Sequence, residues 1–465
     1  MQPNIVVIQT DDQGRWAMPH RMPELVMPHL AALLAESLEL EELYCASPVC
    51  SPARASILTG RMPSAHGIHD WLIGGRHPQA YPDRYLDGQP TTPEVLSRAG
   101  YQCFLSGKWH VGDSRTPAPG FYGWYAHRYG GGPYVDAPVW VDGVAAQEPR
   151  YFTHAVTEEA VRFVRERDRG RPFYLQVNYT APHTPWLEGH PEDYTALYDG
   201  CEFPSVPREP QHPWTEWRRE DFADSYADPV PSLVGYCAAL SAVDRGVGSL
   251  RDLLAAEGLT ESTIIVYLSD NGFACGHHGI WGKGNGTYPM NFWDTSVRVP
   301  GLVHVPGGPV GTSDALLSSA SLHATLCDLA GVAADPDRWQ AAGSFAPLFR
   351  GEPYEGVDVV VVASEYGGGR MITDGRWKYV ARASGPEELY DRAADPDERT
   401  NLAEAEPDLC RAWAHRLQEW FAGRERAGAS AYDHDVRGHG QIHPVWRGRS
   451  DAETYAVGTE SWDGI

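Results

Sequence analysis

Asn4-Ile5-Val6-Val7-Ile8-Gln9-Thr10-Asp11-Asp12 opens the chain with a β-rich apolar run that stops abruptly on two carboxylates. In open α/β sheets ligands collect beyond the carboxyl ends of strands, so Asp11 and Asp12 read as a binding position. A solvated turn or a helix cap is the competing reading. A second apolar run, Thr263-Ile264-Ile265-Val266-Tyr267-Leu268, ends in Ser269-Asp270-Asn271-Gly272. Two further runs, 101–105 and 173–177, deliver Gly107-Lys108-Trp109-His110 and Ala181-Pro182-His183-Thr184-Pro185. Lys108 and His110, two apart on an extended segment, should point the same way; a surface lysine and a packed histidine are the alternative. The flanking prolines should hold the backbone at His183 extended.

Helical spacing fills the intervals between these runs. Leu30, Leu33, Leu34 and Leu38 predict a helix over 27–38, and Thr92-Pro93 starts another with Thr92 as its cap. A third covers 153–168, and a long one runs from Val234 to Gly258 with Asp244 inside it, which reads as structural. Residues 117–151, rich in Gly, Pro and aromatics, read as a long ordered loop. The succession of strands and helices suits an α/β fold. Asp11, Asp12, Asp270 and Asn271 suit the ends of neighbouring parallel strands. They form the hard-oxygen nest that Ca²⁺ or Mg²⁺ prefers. His277 and His278 lack the helical spacing of a zinc site.

Between these runs lies Cys45-Ala46-Ser47-Pro48-Val49-Cys50-Ser51-Pro52-Ala53-Arg54, continuing to Leu58-Thr59-Gly60-Arg61. Pro52 is tolerated in a first helical turn, and Gly60 is a stop. Cys50 then sits at a helix N-terminus with Arg54 one turn on, a place that favours anions. A small buried hydrophobe is the other reading of a lone cysteine.

The net charge of −24 argues against a nucleic-acid or anionic-membrane partner. No apolar run approaches the roughly 20 residues that span a bilayer, and the start lacks the features of a signal peptide, so the chain as given reads as cytoplasmic. The eight cysteines form no C-x-x-C pair and are expected mostly as free thiols. Asn178-Tyr179-Thr180 and Asn285-Gly286-Thr287 match the glycosylation sequon, read here as coincidence.

Cys50-Ser51-Pro52-Ala53-Arg54 with Leu58-Thr59-Gly60-Arg61 resembles the C-x-P-x-R motif of type I, formylglycine-dependent sulfatases. Gly107-Lys108-Trp109-His110 and Pro182-His183-Thr184-Pro185 are similar to two further motifs of that family. The resemblance implies an alkaline-phosphatase-like fold, with a large, mostly parallel sheet flanked by helices. It also implies a smaller carboxyl-terminal antiparallel sheet-plus-helix unit, here carrying the Leu389-Tyr390-Asp391 to Leu402 run. We divide the chain into a catalytic domain, 1–345, and a carboxyl-terminal subdomain, 346–465, whose tail beyond Gly423 is unassigned. The resemblance further implies oxidation of Cys50 to formylglycine by a formylglycine-generating enzyme. It places a Ca²⁺, or second a Mg²⁺, on Asp11, Asp12, Asp270, Asn271 and residue 50. Lys108, His183 and Lys283 would hold the sulfate, Arg54 would steady the formylglycine hydroxyls, and His110 would take a proton from one of them. The leaving group would receive its proton from His183 or a protonated Asp270. Ala53 and Pro28-His29-Leu30 depart slightly from the family pattern, and 286–300 departs more.

The expected activity is hydrolysis of sulfate monoesters, with a sulfated carbohydrate as substrate. Trp71, Trp109, Trp186, Trp281 and Trp293 are candidates to pack on sugar faces, or else loop anchors. The rival readings are a phosphonate or phosphate monoester hydrolase of the same superfamily and a non-catalytic binder of sulfated glycans.

Overall fold

The computed structural model describes residues 2–73, 84–141, 143–218, 222–334, 339–365, 368–430, 440–445 and 454–455. In chain order the strands are β1 (Asn4–Thr10), β2 (Leu38–Tyr44), β3 (Gln102–Gly107), β4 (Phe121–His127), β5 (Ala137–Val141), β6 (Val144–Glu148), β7 (Phe173–Asn178) and β8 (Thr263–Ser269). Two-residue strands β9 (Ala274–Cys275) and β10 (Trp281–Gly282) pair with each other; β11 (Gly301–His304) and β12 (Gly311–Ser318) come next. The large sheet has ten strands in the order β12-β2-β11-β8-β1-β7-β3-β4-β5-β6. Its centre, β8-β1-β7-β3-β4, is parallel throughout.

β1 shows why the centre reads as unbroken apolar sequence. Successive side chains point to opposite faces, and both faces are covered by helices. Ile5 and Val7 join one core with Ile57, Leu58, Leu96 and Leu326. Val6 and Ile8 join the other with Val156, Ala160, Leu240 and Val243. The consequence is positional. Parallel strands end on the same edge, so the segments leaving β8, β1, β7 and β3 emerge side by side.

The remaining strands, β13 (Val360–Ser364), β14 (Gly369–Thr373), β15 (Trp377–Arg382) and β16 (Glu388–Asp391), form an antiparallel meander. Its helix, Pro407–Phe421, packs Trp413, Leu417 and Phe421 against Val361, Ala363, Ile372 and Tyr379. The opposite face, through Val360, Val362, Met371 and Val380, joins a core of the large sheet. Much of the tail beyond Gly423 lies outside the described residues, but 440–445 and 454–455 pack against 67–73.

Three expectations about the secondary structure fail. Residues 117–151 form β4, β5 and β6 rather than a loop; the aromatic alternation of Phe121–His127 suits a pleated surface despite its glycine and flanking prolines. The predicted helix over 27–38 ends at Leu34, because Leu38-Glu39-Leu40-Glu41 alternates with a period of two and opens β2, which pairs along Leu38–Tyr44. The cap of the 92–98 helix is Thr91, which forms a capping box with Glu94. All eight cysteines are free, as expected.

Asp244 has the structural role expected of it. It is buried within the Pro229–Ala256 helix and accepts the Leu30 N–H at 2.7 Å and the His29 N–H at 3.2 Å, which capture two free donors at the start of the Pro28–Leu34 helix. Asp244→Ala should destabilise the protein by about 1–2 kcal/mol in urea unfolding, while Asp244→Asn, which keeps an acceptor, should lose less. Equal losses in the two variants would contradict this.

Candidate active site

Asp11 and Asp12 leave β1, Asp270 and Asn271 leave β8, Lys108 leaves β3, and His183 lies beyond the end of β7. One ligand oxygen from each of Asp11, Asp12 and Asp270 lies within 4.8 Å of the others, and all three side chains are buried. Lys108 Nζ bonds Asp11 Oδ2. Lys283 Nζ, from the loop after β10, donates to Asp12 Oδ1 at 2.6 Å. Arg54 Nε donates to Asp270 Oδ2 at 2.8 Å, and its Nη1 to the Lys108 carbonyl at 3.2 Å. Asn271 Nδ2 donates to Asp12 Oδ1 at 2.7 Å.

Gly107 explains how Lys108 reaches this edge. It has φ +109°, and a Cβ there would sit 2.0 Å from the Asn178 carbonyl oxygen. That close approach lets Lys108 N donate to the same carbonyl at 2.7 Å, and Asn178 Nδ2 donates back to the Lys108 carbonyl at 3.0 Å. Asn178 therefore braces the site, a role that its place in a sequon does not suggest.

Cys50 is the first residue of the Cys50–Thr59 helix, as expected from Pro52 and Gly60. Its sulfur accepts from Lys283 Nζ at 3.3 Å, so one ammonium bridges Cys50 and Asp12. Among the described residues, the potential metal cluster comprises Asp11, Asp12 and Asp270 without the Cys50 sulfur.

The two histidines are held separately. The chain leaves the extended conformation at His110 (φ +54°), so the two-apart rule does not orient it with Lys108. Its Nε2 bonds the Leu72 carbonyl at 3.0 Å. Around His183 the chain turns, with both flanking X-Pro bonds cis, rather than running extended. His183 Nδ1 bonds the Thr184 carbonyl at 2.8 Å, Nε2 lies 3.8 Å from Asp12 Oδ2, and Tyr134 Oη donates to its carbonyl at 2.7 Å.

Sequence reasoning missed Tyr134 and the loop after β4. A Cβ at Gly130 would lie 2.1 Å from His110 Cε1, and one at Gly131 would lie 2.9 Å from His183 Cε1. The run Gly130-Gly131-Gly132 was the available signal. Four of the five tryptophans are core anchors: Trp109 packs on Phe121 and Trp124, Trp186 on Trp281, and Trp293 on His278. Trp71 alone is half-buried.

Electrostatics follow from burial and pairing. Burial would raise both β1 carboxyls, but the Lys108 ammonium holds Asp11 below the usual range and Lys283 does the same for Asp12. Asp270 is raised by burial and by Asp11, against the pull of Arg54. Burial lowers His183 and, with Lys108, lowers His110 strongly, so both imidazoles are neutral at pH 7. Burial also raises the Cys50 thiol despite Lys108 and Lys283. An unmodified Cys50 is thus a thiol, a weak nucleophile.

A divalent cation fits these residues. Asp11 Oδ1 and Asn271 Oδ1 are buried acceptors without a hydrogen-bond partner among the described residues, a rare condition in folded proteins. The donors are hard oxygens. Three carboxylates face three cations, so a dication would leave the site cationic and attractive to an anionic ester.

Comparison with known proteins identifies the class. The Sulfatase family model matches residues 3–332. A choline-sulfatase of Rhizobium meliloti is 30% identical over 441 residues, covering 87% of this chain and 83% of that protein. An N-acetylglucosamine-6-O-sulfatase of Bacteroides thetaiotaomicron is 25% identical, covering 72% and 69%. The solved structure of BT4656 in complex with its substrate D-glucosamine-2-N,6-O-disulfate superposes with a TM-score of 0.74 at 23% identity, covering 91% of this chain and 98% of that one. The protein is a sulfuric ester hydrolase with an alkaline-phosphatase-like fold. The chain belongs to the sulfatase family.

Gly130→Ala should push the His110 ring aside. For a ring that serves the reaction, displacements near 1 Å cost about 10²-fold, so kcat should fall by about that factor, and the overpacking should lower the melting temperature by a few degrees. A fully active Gly130→Ala enzyme would contradict a part for the His110 ring in the reaction.

Proposed function

We propose that Cys50 is converted to formylglycine by a formylglycine-generating enzyme and serves, as the hydrated aldehyde, as nucleophile toward a sulfate monoester. The position of residue 50 at a helix N-terminus, within reach of Lys283, supports this. So does the raised thiol, which leaves the unmodified residue poorly reactive. Membership in the sulfatase family implies the same modification and a divalent metal in general.

For the metal we propose Ca²⁺, held by Asp11, Asp12, Asp270, Asn271 and residue 50, with Mg²⁺ second; its chemistry would be to polarise sulfuryl oxygens and offset developing charge. Lys108 and Lys283 would bind the remaining sulfate oxygens as fixed donors aimed where charge accumulates, and His183, whose neutral ring gives its hydrogen to the Thr184 carbonyl, would join them as an imidazolium. Arg54, braced by Asp270 and the Lys108 carbonyl, has its Nη2 without a hydrogen-bond partner among the described residues and would use it to steady residue 50. His110 is neutral and would accept the proton from the second hydroxyl of residue 50, expelling sulfate. The leaving alcohol would take its proton from the protonated form of Asp270, whose carboxyl is raised, or from His183 in its minor imidazolium form. We further propose the division into a catalytic part to residue 345 and a carboxyl-terminal part beyond it.

For the substrate we propose a sulfated carbohydrate, supported by the N-acetylglucosamine-6-O-sulfatase relative. The burial of four tryptophans removes one argument for sugar stacking. The choline-sulfatase relative, at higher identity, favours a small alkyl sulfate as the second reading. A kcat/KM panel of sulfated sugars, choline sulfate, an aryl sulfate and a phenyl phosphonate separates these. Preference for the phosphonate would overturn the sulfate assignment.

Peptide mass spectrometry should find formylglycine at residue 50. Cys50→Ala should lower kcat by about 10³-fold or more. Exhaustive chelation should abolish turnover and Ca²⁺ should restore it, with Mg²⁺ less effective because it demands strict octahedral geometry. Full activity of Cys50→Ala, or indifference to chelation, would contradict the proposal.

A further inference from the structure

The far end of the chain reaches the site through one strand-like contact. Gln441 is fully buried and forms a parallel bridge with Leu72. Its N–H donates to the Trp71 carbonyl at 2.8 Å, and its carbonyl accepts from the Ile73 N–H at 3.2 Å. In a parallel bridge one residue bonds the two neighbours of its counterpart, so the counterpart's own N–H and C=O face away. Leu72 obeys this. Its N–H donates to Ser51 Oγ at 3.0 Å, and its carbonyl receives His110 Nε2 at 3.0 Å.

The Gln441 side chain fastens the rest of the loop. Oε1 accepts the His69 N–H at 2.7 Å, and Nε2 donates to the Gly67 and His443 carbonyls, each at 2.9 Å. Asp70 Oδ2 accepts the N–H of the adjacent Gly440 at 2.9 Å.

A carbonyl only accepts, so the bond to Leu72 puts the hydrogen of a neutral His110 on Nε2 and leaves Nδ1 as the acceptor. Nδ1 has no hydrogen-bond partner among the described residues. The Leu72 peptide thus does two things at once. It fixes the tautomer of His110, and it ties down Ser51, the residue after Cys50.

We propose that Gln441 is a positioning residue for the hydrolysis: by clamping residues 67–73 it holds the Leu72 peptide that orients His110 and anchors Ser51. This rests on the reading of His110 as the proton acceptor.

A double-mutant cycle with Gln441→Ala and His110→Ala tests it, because residues acting through one another are not additive. Peptide mass spectrometry on each variant normalises the rates to the formylglycine content of residue 50, and thermal melts confirm folding. Gln441→Ala should lower kcat by about 10- to 100-fold with little change in KM, and should cause a much smaller loss in the His110→Ala background, where only the anchoring of Ser51 remains to be lost. Multiplying losses, a raised KM with kcat intact, or no loss would each overturn the positioning role. Unchanged kcat in His110→Ala alone would instead defeat the assignment of His110, and this inference with it. Should Gln441→Ala not fold, Gln441→Glu, which keeps the acceptor for His69 and loses the donor to Gly67, takes its place in the cycle, with a smaller non-additive loss expected and an additive one contradicting.

Discussion

Three buried carboxylates with ligand oxygens within 4.8 Å of one another repel strongly, and the site exists because three cations are pinned against them. Each cation comes from a different segment: Arg54 from the Cys50–Thr59 helix, Lys108 from the end of β3, Lys283 from the loop after β10. No local stretch could assemble such a set. The parallel centre of the sheet does, because β8, β1, β7 and β3 end on one edge and deliver acid and base together. Removing one member of such a buried group strands its partner's charge, which costs far more than the pair contributes when intact.

The same arrangement reconciles an acidic protein with an anionic substrate. The net charge of −24 is spread over the surface and screened within a Debye length, about 10 Å at 0.1 M salt. The side chains of the site are largely buried, and its three carboxylates are matched by three cations before any dication adds to them. Its histidines stay neutral because burial and the neighbouring lysine oppose protonation, which leaves them free to accept protons at physiological pH.

Much of this was legible in the sequence. Strands β1 and β8 declare themselves by unbroken apolar runs, and the oxygen pairs at their ends are visible at once. The resemblance of the Cys50, Lys108 and His183 segments to sulfatase motifs named the family. What escaped reading is non-local. Leu38-Glu39-Leu40-Glu41 alternates leucine and glutamate at the start of β2, but the apolar helix before it drew the boundary too late. Residues 121–148 form an edge of the sheet whose glycines and prolines mimic a loop. Tryptophans in the loops look like a binding surface until their packing partners are known. Gln441 carries no chemistry of its own, and its contact with Leu72 spans nearly the whole chain.

The most direct measurement is an anomalous-difference map from crystals of the active enzyme grown with Ca²⁺. One peak bounded by the Asp11, Asp12, Asp270 and Asn271 oxygens, with a formylglycine at residue 50 turned toward it, is the expected result. An ion bound elsewhere, or a residue 50 side chain facing away from those oxygens in the active enzyme, would contradict the site described here.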